Sequence, residues 1–358
     1  MKALAVTALA STLLAASIGQ AFAASQSASA ESLGVEIAPV VDKLAGTNLG
    51  EVRFTMRNPT DQAVRILKWQ TPFDGIDANL FSVHVGGVEV DYTGRLIKRG
   101  QPTARDYLTL QPGESRSINL DLSAYYDFAK SGQYEIRYDE FLFNDRGTQK
   151  RVNTTPTLMW VDGSDQFLGS RVERDPWQGM GVKALNPTPT FSKCTTTQQS
   201  QLLTAVNSSR NYAINARAYY PAHSATNISA RYTTWFGATS ASRYSTATSH
   251  FNAIDAAFAN ETVTIDCGCK KTYYAYVYPT QPYKIYVCKA FWSAPNTGTD
   301  SRAGTLIHEM SHFNVVAGTD DHVYGQSGAK SLAISNPTNA LDNADSHEYF
   351  SENTPAQN

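Results

Sequence analysis

Residues 305–313 read TLIHEMSHF, with two histidines four positions apart and a glutamate directly after the first. Residues four apart lie on one face of an α-helix, so His308 and His312 can reach the same metal ion. Glu309 projects beside that face, where it can act as a general base toward a water molecule. Leu306 lies on the other side and would anchor the helix in a core. The stretch therefore predicts a buried helix that carries a catalytic zinc ion.

A third ligand is needed, because catalytic zinc sites use three protein ligands and leave one position for water. The common extension HExxHxxGxxH is absent, since Val315 and Gly318 occupy its glycine and third histidine positions. Gly318 can instead supply a sharp turn that returns the chain beneath the helix. The side chains that could follow such a turn, or reach the site from further along, are Asp320, Asp321, His322 and Glu348. Spacing alone does not choose between Asp320 and Asp321.

Residues 318–325 read GTDDHVYG, which resembles the GTxDxxYG motif of the aspzincins, the deuterolysin family of metallopeptidases. This resemblance implies that Asp321 is the third zinc ligand and that Tyr324 helps to stabilise the oxyanion of the tetrahedral intermediate. It extends from Cys194 to about Phe350. It implies a zincin-like endopeptidase with one catalytic Zn²⁺, and the region before Cys194 is also similar to the family's propeptide.

Residues 343–350 read NADSHEYF, which is similar to a segment of the peptidyl-Lys metallopeptidases within that family. The resemblance implies that Asp345 and Glu348 bind a substrate lysine, so that cleavage occurs at Xaa–Lys bonds. His347 departs from the subgroup, where an aromatic residue such as tyrosine is more usual. A helix capping box is a second interpretation, because an aspartate is followed three residues later by a glutamate. The two interpretations can coexist.

The cysteines all lie in the second half of the chain, at Cys194, Cys267, Cys269 and Cys288. An even number in an exported chain indicates two disulfides. A bond between Cys267 and Cys269 would be strained, because only Gly268 separates them, so each should pair with one of the distant two. A four-thiolate zinc site is disfavoured by the absence of paired CxxC knuckles. The family resemblance implies the pairs Cys194–Cys267 and Cys269–Cys288.

The first 23 residues have the pattern of a secretory signal peptide: Lys2, an apolar stretch over 3–16, and a small-x-small site that ends at Ala23. No later segment is apolar enough to span a membrane, so we expect a secreted protein. The net charge of −2 gives no nucleic-acid footprint, and no polybasic run suggests a membrane surface. The expected partners are protein or peptide substrates, and the expected state is a monomer.

Two domains are expected, because the roughly 335 residues after the signal peptide exceed what one core usually serves. Short alternating runs divided by turn residues predict an N-terminal antiparallel β-sandwich over 33–162. Residues 163–193 contain Pro-bearing stretches that resist regular structure and predict a linker. Helical patterns and short strands follow, so 194–358 should form the α+β zincin-like metallopeptidase domain.

The predicted β-sandwich carries no catalytic constellation, and we interpret it as a pro-domain of a zymogen that is removed by cutting within the linker. Two other functions stay open. The first is a deuterolysin-like protease with a broader side-chain preference. The second is a secreted, non-catalytic β-sandwich binding protein with an inert second domain. Cleavage of defined peptides separates the first from a lysine-specific enzyme, and zinc content separates the second from any metallopeptidase.

Overall fold

The structure is a computed structural model, and it describes residues 33–40, 50–143, 149–161 and 186–357. The predicted signal peptide and most of the predicted linker lie outside the described residues. The chain has a β-rich N-terminal region and a mostly helical C-terminal region. Within the described ranges, no helix has the length and apolar character that crossing a membrane requires.

The N-terminal region consists of short strands. They are β1 (Gly34–Pro39), β2 (Glu51–Arg57), β3 (Val64–Leu67), β4 (Phe81–Val85), β5 (Val88–Glu89), β6 (Leu96–Lys98), β7 (Tyr107–Leu110), β8 (Ser115–Asp121), β9 (Gly132–Phe143), β10 (Gln149–Asn153) and β11 (Thr157–Val161). β1, β2 and β8 form one antiparallel sheet, while β10, β9, β4 and β5 form another, in which β11 also pairs with β9. β3 pairs with β7. The alternation in the sequence predicted this β-rich character correctly.

These sheets share one buried apolar cluster. At its centre Phe54 of β2 meets Phe73, Phe81 of β4 and Tyr138 of β9 edge-on, with ring centroids 5.6, 6.2 and 5.2 Å away. Edge-to-face contacts of this kind add to the apolar area that the rings remove from water. The N-terminal region therefore has a core of its own from which β6 extends.

The C-terminal region is built of helices around a small sheet. Its helices are α1 (Thr196–Ala222), α2 (Ala230–Phe236), α3 (Ala241–Asn260), α4 (Lys289–Ser293), α5 (Arg302–His312), α6 (Gly325–Ser335), α7 (Pro337–Leu341) and α8 (Ala344–Glu352), and its strands are β12 (Thr190–Ser192), β13 (Thr264–Asp266), β14 (Ala275–Val277) and β15 (Lys284–Val287). Thr195 and Gln198 form a capping box that starts α1. Ser301 caps α5 by accepting a hydrogen bond from the Gly304 amide.

The C-terminal sheet has the order β12-β13-β15-β14-β6, so its last strand comes from the N-terminal region. β6 runs antiparallel to β14 and pairs Lys98 with Ala275, Ile97 with Tyr276 and Leu96 with Val277. Nothing in the alternation of the sequence indicated that β6 would join the C-terminal sheet. This pairing brings part of the N-terminal region directly to the metallopeptidase motif.

Helix α5 lies in the centre of the C-terminal region, packed against α1, α8 and the sheet. Leu306, Ile307 and Met310 are completely buried in the surrounding apolar cluster. Their burial fixes the rotation of the helix and so the direction of its histidines. Close to this core, the disulfides Cys194–Cys267 and Cys269–Cys288 join the segments around the sheet, with the pairing that the family resemblance implies.

Candidate metal centre and substrate cleft

His308, His312 and Asp321 converge on one point. The Nε2 atoms of the two histidines are 3.1 Å apart. The Asp321 carboxylate lies 3.2 Å from Nε2 of His308 through Oδ1 and 3.5 Å from Nε2 of His312 through Oδ2. Within the described residues, Oδ1 of Asp321 has no hydrogen-bond partner. Two imidazole nitrogens and one carboxylate oxygen are a donor set that suits a catalytic zinc ion.

The turn after α5 carries Asp321 to this point. Gly318 adopts a φ of 61°, which L-residues with a side chain rarely take. The Thr319 amide then donates to the Ser311 carbonyl at 3.2 Å, and the Thr319 carbonyl lies 2.6 Å from Nδ1 of His312. The second contact holds His312 so that its Nε2 atom faces the cluster. Gly318 thus supplies the reversal that the sequence predicted.

The other candidates for a third ligand have different surroundings. Oδ2 of Asp320 accepts a hydrogen bond from Nδ2 of Asn79 at 3.2 Å. Nε2 of His322 lies 2.8 Å from Oδ2 of Asp342. Glu348 approaches His308 from the Nδ1 side of the ring, at 3.5 Å. Of the four side chains that spacing left open, Asp321 is the one that faces the Nε2 atoms of both histidines.

Burial governs the ionisation of the site. Glu309 is completely buried, neither carboxylate oxygen has a hydrogen-bond partner among the described residues, and burial raises its pKa well above the usual range. Burial lowers the pKa of His312 to about 4, so its imidazole is neutral and can offer a lone pair. Burial alone would raise the pKa of Asp321, but the two adjacent histidines hold it below its ordinary value. Glu309 is thus a carboxyl group without a structural partner beside a set of metal-ligand atoms.

Asp345 and Glu348 form an acidic pair on α8, behind His308. Oδ1 of Asp345 lies 2.8 Å from Nδ1 of His308, and Oδ2 accepts from the Gly325 amide at 2.6 Å. Carboxylates in this position orient a metal-binding histidine. Because α8 begins at Ala344, Asp345 lies inside the helix and is not its N-cap. The capping-box interpretation of Asp345 and Glu348 is therefore wrong.

His347 lies on the opposite side of α8 from this pair. Its Nδ1 atom is 3.0 Å from the Asn343 carbonyl, and its Nε2 atom is 3.0 Å from Nδ1 of His250. Burial lowers the pKa of both histidines. The side chain at position 347 therefore contacts His250 and not the acidic pair.

Lys98, from β6, fills the space between the acidic side chains, and sequence reasoning missed it. Its Nζ atom lies 3.1 Å from Oδ1 of Asp345 and 2.5 Å from Oε2 of Glu348, with all three side chains inaccessible to solvent. The ring centroids of Tyr274 and Tyr349 are 5.4 and 5.8 Å from the same nitrogen, which is within cation–π range. Burial alone would lower the pKa of Lys98, but the two carboxylates raise it well above its usual value. The pocket therefore accommodates a charged ammonium group.

The peptide bond before Lys98 lies between the candidate catalytic groups. The Tyr324 hydroxyl donates to the Ile97 carbonyl oxygen at 2.8 Å. The Ile97 amide donates to Oδ2 of Asp321 at 3.1 Å. On the other side of the bond, burial raises the pKa of the Glu309 carboxyl group, and the Lys98 amide partly opposes this effect. A backbone segment of the chain itself is therefore held against Tyr324 and Asp321, two of the residues that the family resemblance singled out.

Comparison with known proteins identifies relatives of this chain. A family model described as "Lysine-specific metallo-endopeptidase", of the aspzincins, matches residues 219–352. An "Extracellular protease" of Aeromonas hydrophila is 44% identical over 316 residues, which cover 86% of this chain and 89% of that protein. A "Peptidyl-Lys metalloendopeptidase" of Armillaria mellea is 36% identical over 329 residues, with 86% and 88% covered. A solved zinc peptidase from Grifola frondosa is 46% identical, with a TM-score of 0.44, over 46% of this chain and all of that one.

The relatives from Aeromonas hydrophila and Armillaria mellea each match 86% of the chain, so these two similarities include much of the β-rich N-terminal region. The family match itself covers α5, the turn after it and α8. The resemblance that the two motifs suggested is therefore confirmed, and this chain belongs to the aspzincin family of metalloendopeptidases.

Proposed function

We propose that this protein is a secreted zinc endopeptidase that hydrolyses the peptide bond on the amino side of lysine. The observation that carries the proposal is the position of Lys98, whose ammonium group fills the acidic pocket while the bond before it lies between Glu309 and Tyr324. A relative from Armillaria mellea, named a peptidyl-Lys metalloendopeptidase, supports this specificity.

His308, His312 and Asp321 would hold the zinc ion, since the metal-ligand atoms of these three side chains lie within 4.8 Å of one another. Oδ1 of Asp321 is buried and accepts no hydrogen bond from the described residues, so a bound cation would compensate for the water that this atom has lost. When bound, zinc polarises the scissile carbonyl and lowers the pKa of a water molecule. Asp345 would keep the ring of His308 in the orientation that this binding needs.

The chain's own groups perform the proton transfers and bind the substrate. Glu309 accepts a proton from the attacking water and delivers it to the amine that leaves with the lysine. The Tyr324 hydroxyl donates a hydrogen bond to the carbonyl oxygen, where negative charge develops. Asp345 and Glu348 compensate the lysine ammonium for the hydration that it loses in the buried pocket.

The N-terminal region acts as a pro-domain of β-sandwich type in this proposal. β6 occupies the edge of β14 and the acidic pocket, where a substrate would have to bind. The enzyme is therefore made as a zymogen, exported by the signal peptide and freed by a cut within residues 163–193. Intact-mass analysis of the secreted active form tests this, and a fully active species that still starts near Ala24 would contradict it.

Asp321→Asn is expected to weaken zinc binding by about 10-fold or more, because it removes the carboxylate ligand while keeping its shape. Asp320→Asn is the matched control, since Asp320 is the neighbouring aspartate but its Oδ2 atom accepts a hydrogen bond from Asn79. Zinc per chain, measured by mass spectrometry after dialysis against a weak chelator, gives the comparison. If Asp320→Asn releases zinc and Asp321→Asn retains it, the ligand assignment is off by one position.

Peptide specificity tests the proposed reaction. A set of peptides that differ only in having lysine, arginine or alanine after the scissile bond should be cut before lysine and much less before arginine, because a planar guanidinium does not fit where an ammonium does. Products are identified by mass spectrometry, using the secreted protein and a Lys98→Ala variant whose pocket lacks its internal lysine. Equal cleavage before lysine and alanine would favour a broader deuterolysin-like specificity, and no hydrolysis by zinc-loaded protein would favour a binding protein.

A further inference from the structure

We propose that the Ile97–Lys98 bond is a self-cleavage site, which the catalytic centre of the same chain hydrolyses. The inference rests on the proposed function and names a specific internal substrate for it. It differs from a cut in the 163–193 segment, because the bond lies inside the β-rich N-terminal region, in the strand that fills the cleft.

The orientation of the Ile97–Lys98 bond matches what the proposed reaction requires. A peptidase that cuts before lysine must place the lysine side chain in its pocket and the preceding carbonyl near its oxyanion donor. Both conditions hold here, since Nζ of Lys98 reaches the acidic pair and the Ile97 carbonyl oxygen accepts from Tyr324. The Ile97 amide also donates to Oδ2 of Asp321 at 3.1 Å, so the residue before the bond is held beside the proposed metal ligands. An inhibitory segment that merely blocked the cleft would not need all three contacts.

Backbone pairing also holds the segment in place. β6 adds to β14 as an extended antiparallel strand, which is a common way for a sheet edge to bind a peptide. The Tyr274 amide also donates to the Lys98 carbonyl at 3.1 Å, so backbone contacts continue past the bond. Ile97 and Lys98 are completely buried. The bond is therefore held in one register on both sides, which favours a reaction within the chain.

The reaction is a hydrolysis and needs no other co-reactant than water. The water oxygen forms a bond to the Ile97 carbonyl carbon, and the C–N bond to Lys98 breaks. Glu309 takes one proton from the water and passes it to the departing nitrogen. The products are a carboxylate at Ile97 and an α-amine at Lys98.

The two new ends would stay attached to the folded protein. On the amino-terminal side of the bond, the pairing of β5 with β4 holds the segment in the N-terminal region. On the carboxyl-terminal side, β7 begins at Tyr107, nine positions beyond Lys98, and its pairing with β3 holds the other new end. The cut therefore produces a nicked chain whose parts remain associated, and it frees β6 from being continuous through the cleft.

The test follows the mass of the full-length chain, purified with a chelator and then supplied with zinc. Peptide mapping should reveal a new amino terminus at Lys98 in the unmodified chain. The Glu309→Gln chain should form it at least about 10²-fold more slowly, because it lacks the group that transfers the proton. The rate constant should not change with protein concentration. An unmodified chain that stays intact at this bond, or a rate that rises with concentration, would overturn cleavage within the chain.

A second readout does not depend on activity. In the Glu309→Gln chain, Lys98 should resist amine-labelling reagents, whereas the exposed Lys130 should react readily. Labelling of Lys98 as fast as Lys130 would show that the segment does not occupy the pocket, and the proposal would fail.

Lys98 variants separate this inference from the proposed function. Lys98→Met should abolish the internal cut. Once cut within residues 163–193, the Lys98→Met chain should hydrolyse an added Xaa–Lys peptide as the unmodified chain does, and Lys130→Met should change neither result. If the added peptide is cut but the unmodified chain keeps its Ile97–Lys98 bond, self-cleavage is wrong and the proposed function survives. If no chain that has been cut within residues 163–193 hydrolyses the added peptide, both are wrong. Should Lys98→Met fail to fold, the comparison of the unmodified and Glu309→Gln chains still decides.

Discussion

Glu309→Gln is expected to lower kcat on an Xaa–Lys peptide by about 10²- to 10⁴-fold, the range typical of a lost general acid–base group. Glutamine has nearly the same shape but cannot accept the proton of the attacking water. The buried carboxylate has no hydrogen-bond partner in the described part of the chain, so the fold does not depend on its charge. Zinc content should stay unchanged, because the histidines and Asp321 hold the ion in the proposed site. Kinetics and metal analysis on the same preparation measure both.

Glu352→Gln is the matched control for that substitution. Glu352 is also a buried carboxyl group near the pocket, but Oε1 accepts from the Ser301 amide at 2.9 Å and from its hydroxyl at 2.7 Å. Burial raises its pKa to about 9, so it is neutral at pH 7 and glutamine resembles it closely. Its substitution should leave kcat almost unaltered. A zinc-loaded Glu309→Gln protein with near-normal activity would remove Glu309 from its assigned role.

Helix geometry explains why the metal motif could be recognised in the sequence. Two histidines four positions apart must lie on one face of α5, and the apolar residues around them fix which face points inward. The turn after the helix was harder to predict. Gly318 indicated a reversal of the chain. Whether Asp320 or Asp321 then faces the histidines depends on the backbone conformation of the turn, which spacing does not reveal. There the family motif decided, and the geometry places Asp321 beside both rings.

Lys98 could not have been found in the same way. Its contact with Asp345 joins residues 247 positions apart. β6 is three residues long, so its sequence carries no periodicity that would assign it to one sheet or the other. Its burial also contradicts the usual expectation for a lysine, which is almost never fully buried unless it is paired. The burial of Lys98 could be predicted only if its acidic partners were known, and these lie in the C-terminal region of the chain.

The position of β6 also changes the predicted role of Asp345. From the sequence, Asp345 is a pocket residue that could be replaced without effect on the metal. In the structure one carboxylate oxygen contacts both Nζ of Lys98 and Nδ1 of His308. The proposed specificity pocket and the proposed metal centre therefore share a group, so we expect binding of a lysine at one to influence the other.

Asp345→Asn should consequently have two separable effects. At saturating zinc, kcat/KM for Xaa–Lys peptides should fall by roughly 2–4 kcal/mol of transition-state stabilisation, because a buried ammonium loses one of its charged partners. The fall should be much smaller for peptides with alanine at that position, so the preference for lysine should largely disappear. Zinc affinity should fall by about 10- to 100-fold, as for other lost carboxylate–histidine contacts.

Glu348→Gln provides the comparison that separates those effects. Glu348 contacts Lys98 at 2.5 Å but lies 3.5 Å from His308, so its substitution should reduce the preference for lysine and change zinc affinity little. Zinc titration of both variants, followed by peptide kinetics at saturating metal, gives the two quantities independently. If Asp345→Asn at saturating zinc keeps the unmodified ratio of lysine to alanine cleavage, the pocket that Lys98 fills is not where substrate lysine binds. The carboxylate of Asp345 would then serve the metal ligand alone.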